Sequence, residues 1–270
     1  MIIASSKEEA LAALEDIMVK KVFGSAGNKV LIEEYITGKE VSLLSFTDGK
    51  NVVPMVPACD YKRINDADQG PNTGGMGSYS PPGFFESKMQ ELVMDTIVEP
   101  TVAAMAKENV PYTGVLYTGL MITEQGPKVL EYNARFGDPE TQAILPRLKT
   151  DLIDIVLAVM NKKLASTRIE WSKDPCLGVV MTSGGYPDEY RTGYEINGLN
   201  KMDKDVIVFH AGTRIDQASG KTVTDGGRVL TVTAVAKDLS AAREKVYKNI
   251  KKIEFEGCHY RNDIARREVE

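Results

Sequence analysis

The sequence is poor in the residues that mark several common kinds of site. Only three cysteines occur in 270 residues. Cys59, Cys176 and Cys258 lie far apart and form no CxxC pair, which argues against a disulfide framework or a cysteine-ligated metal. They read as isolated reduced thiols of a cytoplasmic protein. The two histidines, His210 and His259, have no acidic partner at a telling spacing and read as structural. The single tryptophan, Trp171, is expected to pack at a domain edge. No apolar run approaches the roughly 20 residues of a membrane-spanning helix. Met1-Ile2-Ile3-Ala4 gives way at once to Ser5-Ser6-Lys7-Glu8-Glu9, too short an apolar stretch for an export signal. Basic residues are not in excess: 33 Lys and Arg against 38 Asp and Glu leave a net charge of −5. Without a basic run, neither nucleic acid nor a membrane is an expected partner. A nucleotide remains compatible, because a local pocket and Mg²⁺ can supply the positive field.

What is present is an ordinary globular composition, 43 % hydrophobic and 26 % charged, in a chain long enough for one or two domains. Ile2-Ile3-Ala4 reads as the end of a strand. Ser6 to Glu9 is a capping box, followed by helical spacing to about residue 20. Gly24 to Asn28 is a turn-rich loop. Val30 to Tyr35 and Glu40 to Phe46 read as strands, and Asp48-Gly49 signals a hairpin before Val52 to Val56. A long loop spans residues 58 to 85, a helix runs from Ser87 to Lys107 with a kink at Pro100, and strands follow over 112–123 and 128–133. Leu152, Ile155, Val156 and Val159 mark another helix. The text turns polar over 161–175. Strands at 177–181, 206–211 and 229–236 and a helix at 239–252 then suggest a separate α+β module.

The densest information lies in Val129-Leu130-Glu131-Tyr132-Asn133-Ala134-Arg135-Phe136-Gly137-Asp138-Pro139-Glu140-Thr141-Gln142. Residues two apart in a strand share a face, which puts Glu131, Asn133 and Arg135 together. A carboxylate and an amide oxygen are hard ligands for Mg²⁺, and a guanidinium suits a carboxylate or phosphate. Asp138 can cap a helix with Pro139 at its first position. A metal site, an anion clamp and a helix start in one segment suit phosphoryl transfer onto a carboxylate.

Other motifs leave alternatives open. Gly24-Ser25-Ala26-Gly27-Asn28-Lys29 lacks Walker spacing and is either a plain turn or a mobile cover for phosphates. Glu33-Glu34, with Glu40 beyond, is either an edge strand with solvated acids or a hinge reading adenine and ribose. Asp60-Tyr61-Lys62-Arg63 is either a surface ion cluster or a zwitterion site. Pro71-Asn72-Thr73-Gly74-Gly75 offers close backbone approach, with N–H groups free for an anion. Thr224-Asp225-Gly226-Gly227-Arg228 reads as a turn. Arg261, Arg266 and Arg267 read as solvated.

Together these segments resemble the phosphoribosylamine–glycine ligase (glycinamide ribonucleotide synthetase) family of ATP-grasp enzymes. The carriers are Leu31-Ile32-Glu33-Glu34-Tyr35-Ile36-Thr37-Gly38-Lys39-Glu40-Val41-Ser42, Asp60-Tyr61-Lys62-Arg63, Gly70-Pro71-Asn72-Thr73-Gly74-Gly75-Met76-Gly77 and the segment around Glu131. The likeness extends to Thr224-Asp225-Gly226-Gly227-Arg228-Val229-Leu230 and His259-Tyr260-Arg261-Asn262-Asp263-Ile264. The resemblance implies an enzyme of de novo purine synthesis that joins glycine to 5-phosphoribosylamine through glycyl phosphate, using ATP and Mg²⁺ or Mn²⁺. It implies Glu131 and Asn133 as metal ligands, Arg135 on the glycine carboxylate and Asp60 on the ammonium. Thr73, Gly74 and Gly75 would line the acyl-phosphate site, with Lys62, Arg63, Asn72 and Asp138 in the substrate site. Glu33, Glu34, Tyr35 and Ile36 would hold adenine, with Glu40 on the ribose.

The expected fold is α/β (α+β): a remnant of the ATP-grasp lid over 1–38, a core with an antiparallel sheet over 39–165, and a small α+β domain over 166–270. A complete member carries an N-terminal Rossmann-like domain and a phosphate-binding lysine loop upstream, so the chain is expected to be a fragment with little or no ligase activity alone. Its uncovered apolar surface is expected to favour self-association. Rival readings are an ATP-grasp ligase for another acid, which should lack the Gly70–Gly77 loop, and a non-catalytic half that partners a separate N-terminal piece.

Overall fold

The structure, a computed structural model, describes residues 2–270. It divides between Gly38 and Lys39 into two units. In the first unit, Ser6 caps the helix Lys7–Leu14, accepting a hydrogen bond from the Glu9 amide at 3.1 Å. The capping box is displaced by one residue, because the Glu9 carboxylate accepts from the amide of Ser5 at 2.7 Å. A π-helical turn, Glu15–Val19, and a 3-10 turn, Gly24–Asn28, follow. Gly27 is required there, since a Cβ would stand 2.1 Å from the Ile17 carbonyl oxygen.

Two strand expectations fail in this unit. Residues 2–4 and 30–35 take no regular secondary structure and join no ladder among the described residues. Strand character is completed by a partner's amide and carbonyl groups, and sequence pattern cannot supply one. Leu31 and Ile32 are accordingly 79 % and 78 % exposed.

The second unit is built on two antiparallel sheets. The first, of four strands, places Val52–Pro54, Lys39–Asp48, Thr113–Thr123 and Gly126–Asn133 side by side. Alternation in Lys39–Asp48 sorts its faces. Val41 and Leu43 pack with Leu116 and Leu120 against Val93, Val98 and Val102, from the helical run Ser87–Val93, Met94–Val98 and Glu99–Lys107. That run changes hydrogen-bond register just before Pro100, which has no amide to donate. On the other face Leu44, Phe46 and Tyr117 pack with Ile144, Ile155 and Val159, and Trp171 joins this cluster from the polar link. The helix Leu152–Met160 buries Ile155, Ala158 and Val159.

The second sheet, of five strands, has the order Val206–His210, Arg228–Val235, Cys176–Thr182, Gly77–Ser80, Cys59–Asp60. It draws strands from either side of the 161–175 link, so the segment expected to be a long loop is woven into it. The helix Leu239–Ile250 covers this sheet through Ala242, Val246 and Ile250. The cysteines are unpaired, and burial pushes each thiol up to about 12, which keeps them protonated and inert. The histidines have structural partners: His210 Nδ1 meets Thr213 Oγ1 at 3.0 Å, and His259 Nε2 meets the Ile64 carbonyl at 2.9 Å.

Arg261 corrects the sequence reading most sharply. Its side chain is fully buried rather than solvated. Nε and Nη2 donate to the two oxygens of Asp263 at 2.8 Å each. Nη1 donates to the Arg63 carbonyl and to Asp68 Oδ1, both at 3.0 Å. The guanidinium lies 4.8 Å from the ring centre of Tyr61. Ala67 and Asp68 take left-handed backbone, φ 56° and 54°, at the tip of the hairpin Arg63–Asn65/Gln69–Asn72. Burial alone would raise the Asp263 carboxyl, but hydrogen bonds from Arg261 and the Ala67 amide outweigh it and hold the group down at about 2.

Replacing Arg261 by methionine strands the Asp263 carboxylate and is expected to cost about 3–5 kcal/mol, read as a lower urea midpoint. Because the folded carboxyl of Asp263 is depressed, this stabilisation is present above the ordinary carboxylate range and is lost as pH falls toward 2. The gap between unaltered and R261M protein should therefore narrow in acid.

Candidate active site

The open end of the first sheet forms the floor of a polar recess. Antiparallel register aligns Ser42, Gly119 and Glu131 in one row, and Leu44, Tyr117 and Asn133 in the next. A bulge between Gly119 and Leu120 restores this alignment after Leu130. Glu131 lies over Gly119, where a Cβ would stand 3.2 Å from Glu131 Cγ. Glu131 and Asn133 thus share the face expected of them, and neither has a hydrogen-bonded side-chain partner among the described residues. No group of three or more His, Cys, Asp or Glu side chains suited to a metal occurs among the described residues. One carboxylate and one amide oxygen still fit Mg²⁺, which takes few protein ligands and completes its shell with water and phosphate oxygens.

The wall comes from residues 59–62. Asp60 pairs through the backbone with Ser78 and points Oδ1 into the recess, where it is buried without a hydrogen-bond partner. Gly75 permits this: at φ +113° a Cβ would stand 2.7 Å from Asp60 Oδ1 and 2.3 Å from Pro139 Cδ. Lys62 pairs with Glu40 at 2.7 Å. The cavity between them, about 10 Å³ and so no larger than a water molecule needs, is lined by Glu40, Ser42, Asp60, Lys62, Tyr117 and Gly119, among others.

Sequence reading missed Glu140. It is 3 % exposed, and its Oε1 accepts from Ser42 Oγ at 2.9 Å and from Tyr117 OH at 2.8 Å. A signal was present, since the residue follows Asp138-Pro139 in the densest motif. What could not be read was that Gly137 leaves room for it, a Cβ there standing 2.5 Å from Glu140 Oε2.

Burial, and next the Glu140 charge, raise the Asp60 carboxyl well above the usual range, while Lys62 and Arg228 oppose the shift. Burial also works against the Lys62 charge, but Glu40, then Asp60 and Glu131, outweigh it and raise that ammonium. Buried negative charge therefore exceeds what Lys62 offsets, and the Asp60 oxygen invites a cation that can donate hydrogen bonds.

Other expectations are corrected. Asp138 does not cap the helix Glu140–Ile144; Pro139 occupies that position with no side-chain cap. The Asp138 carboxylate instead pairs with Arg228 at 3.1 Å and accepts from Gln142 at 3.0 Å. Arg228, read as part of a turn, also donates to the carbonyls of Gly74 and Asp138 at 2.7 and 2.8 Å. The amides of the glycine loop are not free: Gly74 donates to Tyr186 OH at 3.0 Å and Gly75 to Thr73 Oγ1 at 2.9 Å. Arg135 lies past the strand end, exposed, and donates to the Phe136 carbonyl at 2.8 Å. Arg63 donates to Gly70 O at 2.7 Å within its own hairpin, and Asn72 is exposed there. Glu33, Glu34 and Tyr35 are exposed residues of the first unit, with Ile36 half-buried.

The chain is similar to known proteins. Residues 1–141 match the Phosphoribosylglycinamide synthetase ATP-grasp (A) domain, and residues 176–267 match the C domain of the same synthetase. The chain is 51 % identical over its whole length to the trifunctional purine biosynthetic protein adenosine-3 of Gallus gallus, of which it covers 27 %. It is 46 % identical, again over its whole length, to phosphoribosylamine–glycine ligase of Halalkalibacterium halodurans, of which it covers 62 %. The chain thus spans about three-fifths of that bacterial relative and about a quarter of the trifunctional protein. The crystal structure of phosphoribosylamine–glycine ligase from Thermotoga maritima superposes with a TM-score of 0.84 at 32 % identity, covering 97 % of this chain and 64 % of that one. A biotin carboxylase domain of Hydrogenobacter thermophilus shares the fold, with a TM-score of 0.64 at 14 % identity over 93 % of this chain and 53 % of that one. The expected α/β ATP-grasp core with an antiparallel sheet is therefore the fold observed.

The raised Asp60 carboxyl gives a signed expectation. A carboxyl raised by folding favours the native state below its unfolded value and costs stability as pH rises through the usual carboxylate range. Asp60→Asn should raise the melting temperature near neutral pH, by about 1 kcal/mol or more of stability, and the gain should vanish below about pH 4. Thermal melts of both proteins across pH check it; an equal gain at every pH would show that ionisation is not its source.

Proposed function

The chain belongs to the phosphoribosylglycinamide synthetase family, and on that premise we propose that it carries the nucleotide, metal and glycine sites of an ADP-forming phosphoribosylamine–glycine ligase. The reaction would phosphorylate the carboxylate of glycine with ATP. The amine of 5-phosphoribosylamine then attacks the acyl carbon, expelling phosphate and giving glycinamide ribonucleotide in de novo purine synthesis. The observation that carries this reading is that Glu131 and Asn133 share a strand face, with Glu131 over Gly119, which lines the recess where Asp60 Oδ1 is buried without a hydrogen-bond partner.

Glycine is a zwitterion, and each end has a candidate contact. Asp60 Oδ1 accepts from the ammonium, and Glu140 adds negative potential behind it. Arg135, exposed beyond the strand, orients the carboxylate by turning from the Phe136 carbonyl. Gly75 lets backbone and ligand approach closely, while Thr73 and Gly74 shape that side. Lys62, Arg63, Asn72 and Asp138 complete the substrate side. Lys62 pairs with Glu40, and a ribose hydroxyl on Glu40 would share that carboxylate. Glu33, Glu34 and the backbone of Tyr35 and Ile36 would read adenine. Glu131 and Asn133 would hold Mg²⁺ or Mn²⁺, which neutralises phosphate charge during transfer. Lys62 and the buried Asp60 hold the acceptor in place, and orientation of this kind contributes strongly to such a reaction. A cytoplasmic location accords with a site of this chemistry; no helix among the described residues is long and apolar enough to cross a membrane.

Self-association forms part of the same reading. Ile153, Val156, Leu157 and Met160 make an apolar stripe, between 43 and 69 % exposed, on the helix Leu152–Met160. Sedimentation velocity over a concentration series should show a rising weight-average mass, and monomer throughout would remove the idea.

Calorimetric titration with ADP, with and without Mg²⁺, tests the main reading. Binding should require Mg²⁺, and Glu131→Ala should weaken it about 10- to 100-fold while leaving the thermal melt unchanged. Mg²⁺-independent binding, or an unaltered affinity in E131A, would overturn the assignment of the metal site.

A further inference from the structure

Both polar groups of the Gly74 peptide are held by residues from the C-terminal side of the chain. Its N–H donates to Tyr186 OH at 3.0 Å, and its carbonyl accepts from Arg228 Nη1 at 2.7 Å. The same Nη1 donates to the Asp138 carbonyl at 2.8 Å, and Nη2 pairs with Asp138 Oδ2 at 3.1 Å. One guanidinium thus bridges the glycine loop to the segment that follows Asn133. Its side chain is 21 % exposed, so these bonds are shielded more than those of an open surface pair.

The local sequence is shaped for this bridge. Arg228 opens the strand Arg228–Val235, directly after Gly226-Gly227. A Cβ on Gly227 would stand 2.3 Å from Tyr186 Cδ2, so only glycine lets the Tyr186 ring lie against the backbone just before Arg228. Gly226 and Gly212 approach backbone to backbone, a Cβ on Gly226 standing 3.0 Å from Gly212 Cα. Tyr190 packs edge-on against Tyr186, ring centres 6.2 Å apart. On the far side, a Cβ on Gly74 would stand 3.1 Å from Arg228 Cζ. Gly75 is next in the chain and fixes the space for Asp60 Oδ1.

We infer that Tyr186 and Arg228 are positioning residues for the amino-acid site: they lock the Gly74 peptide, and through Gly75 and Asp138 they set the place of Asp60 and Pro139. This rests on the function proposed above for the ligand, but not for the loop. The bond directions are mutually consistent. Tyr186 offers an acceptor to a donor and Arg228 donors to acceptors, so phenylalanine and methionine each remove one side of the clamp with little change of volume. Lysine keeps the charge at 228 but cannot bridge Gly74 and Asp138 with the same planar fork.

Amide exchange by NMR and calorimetric titration with glycine, on Tyr186→Phe, Arg228→Met and Arg228→Lys, provide the test. Exchange at the Gly74 amide should quicken about ten-fold in Y186F, with Val180 and Thr231 in the adjoining sheet unchanged. Glycine should bind about ten-fold or more weakly in R228M, with part of the loss restored in R228K. Unchanged Gly74 exchange and unchanged glycine affinity would overturn the inference. So would a uniform rise in exchange with a lower urea midpoint, which would mark a general structural role. If the unaltered protein does not bind glycine, the proposed function fails, and Gly74 exchange alone then decides the clamp: a selective rise supports it and no rise overturns it.

Discussion

The guanidinium of Arg261 is fully buried, and much of the molecule's arrangement follows from that. A buried arginine is tolerable only when its donors are used and its charge is matched. Asp263 takes two of its bonds, and Asp68 and the Arg63 carbonyl take the others. The last two belong to the hairpin that begins immediately after Lys62. Ala67 donates to Asp263 and Asn262 donates to Asp66, so the contact continues along both segments. The hairpin therefore cannot drift without uncovering a charge. Its base, where Thr73 bonds back to the Lys62 carbonyl, inherits that fixity. Asp60 and Lys62 stand at a defined height above the sheet for this reason.

The regular elements were legible where they were amphipathic and self-contained. Lys39–Asp48, Thr113–Thr123 and Arg228–Val235 alternate or run apolar as buried strands do, and their turns carry the expected glycines. Residues 30–35 look equally strand-like, yet extended backbone becomes a ladder only with a partner, and pattern is silent about partners. The placement of Glu131 with Asn133 followed from period two, and it survived a bulge that the sequence did not announce.

Long-range electrostatics were not legible. Arg261, Arg228 and Glu140 each find a partner far along the chain: Arg261 meets Asp68 across 193 positions, Glu140 meets Ser42 across 98, and Arg228 meets Gly74 across 154. Local composition assigns such residues to surface or turn, because most arginines and glutamates belong there. The glycine loop shows the same limit in reverse. Its amides looked free because the Tyr186 hydroxyl that binds one of them is remote in sequence. Glycines at 75, 137 and 227 were visible, but only the structure shows that each makes room for a named neighbour: Asp60, Glu140 or Tyr186.

The site's charge balance ties these observations to chemistry. Asp60 and Glu140 are buried close enough for their charges to oppose one another, and Lys62, which lines the recess, is already paired to Glu40. Glu140 is satisfied by two hydroxyls, whereas Asp60 has an oxygen with nothing to accept from. Burying a carboxyl oxygen without a hydrogen-bond partner costs stability, and apolar packing would remove the cost. A ligand ammonium reverses the sign: it brings both the charge and the hydrogen-bond donors that the pocket lacks. On the function proposed above, the ammonium of glycine would offset a burial cost already present in the folded protein. Rigidity is what maintains this cost. If the hairpin or the Gly74 peptide could relax, Asp60 would turn toward water and the cost would disappear before any ligand arrived. The buried arginine and the bonds to Gly74 therefore act toward one end, holding the segments that flank Asp60 in one place.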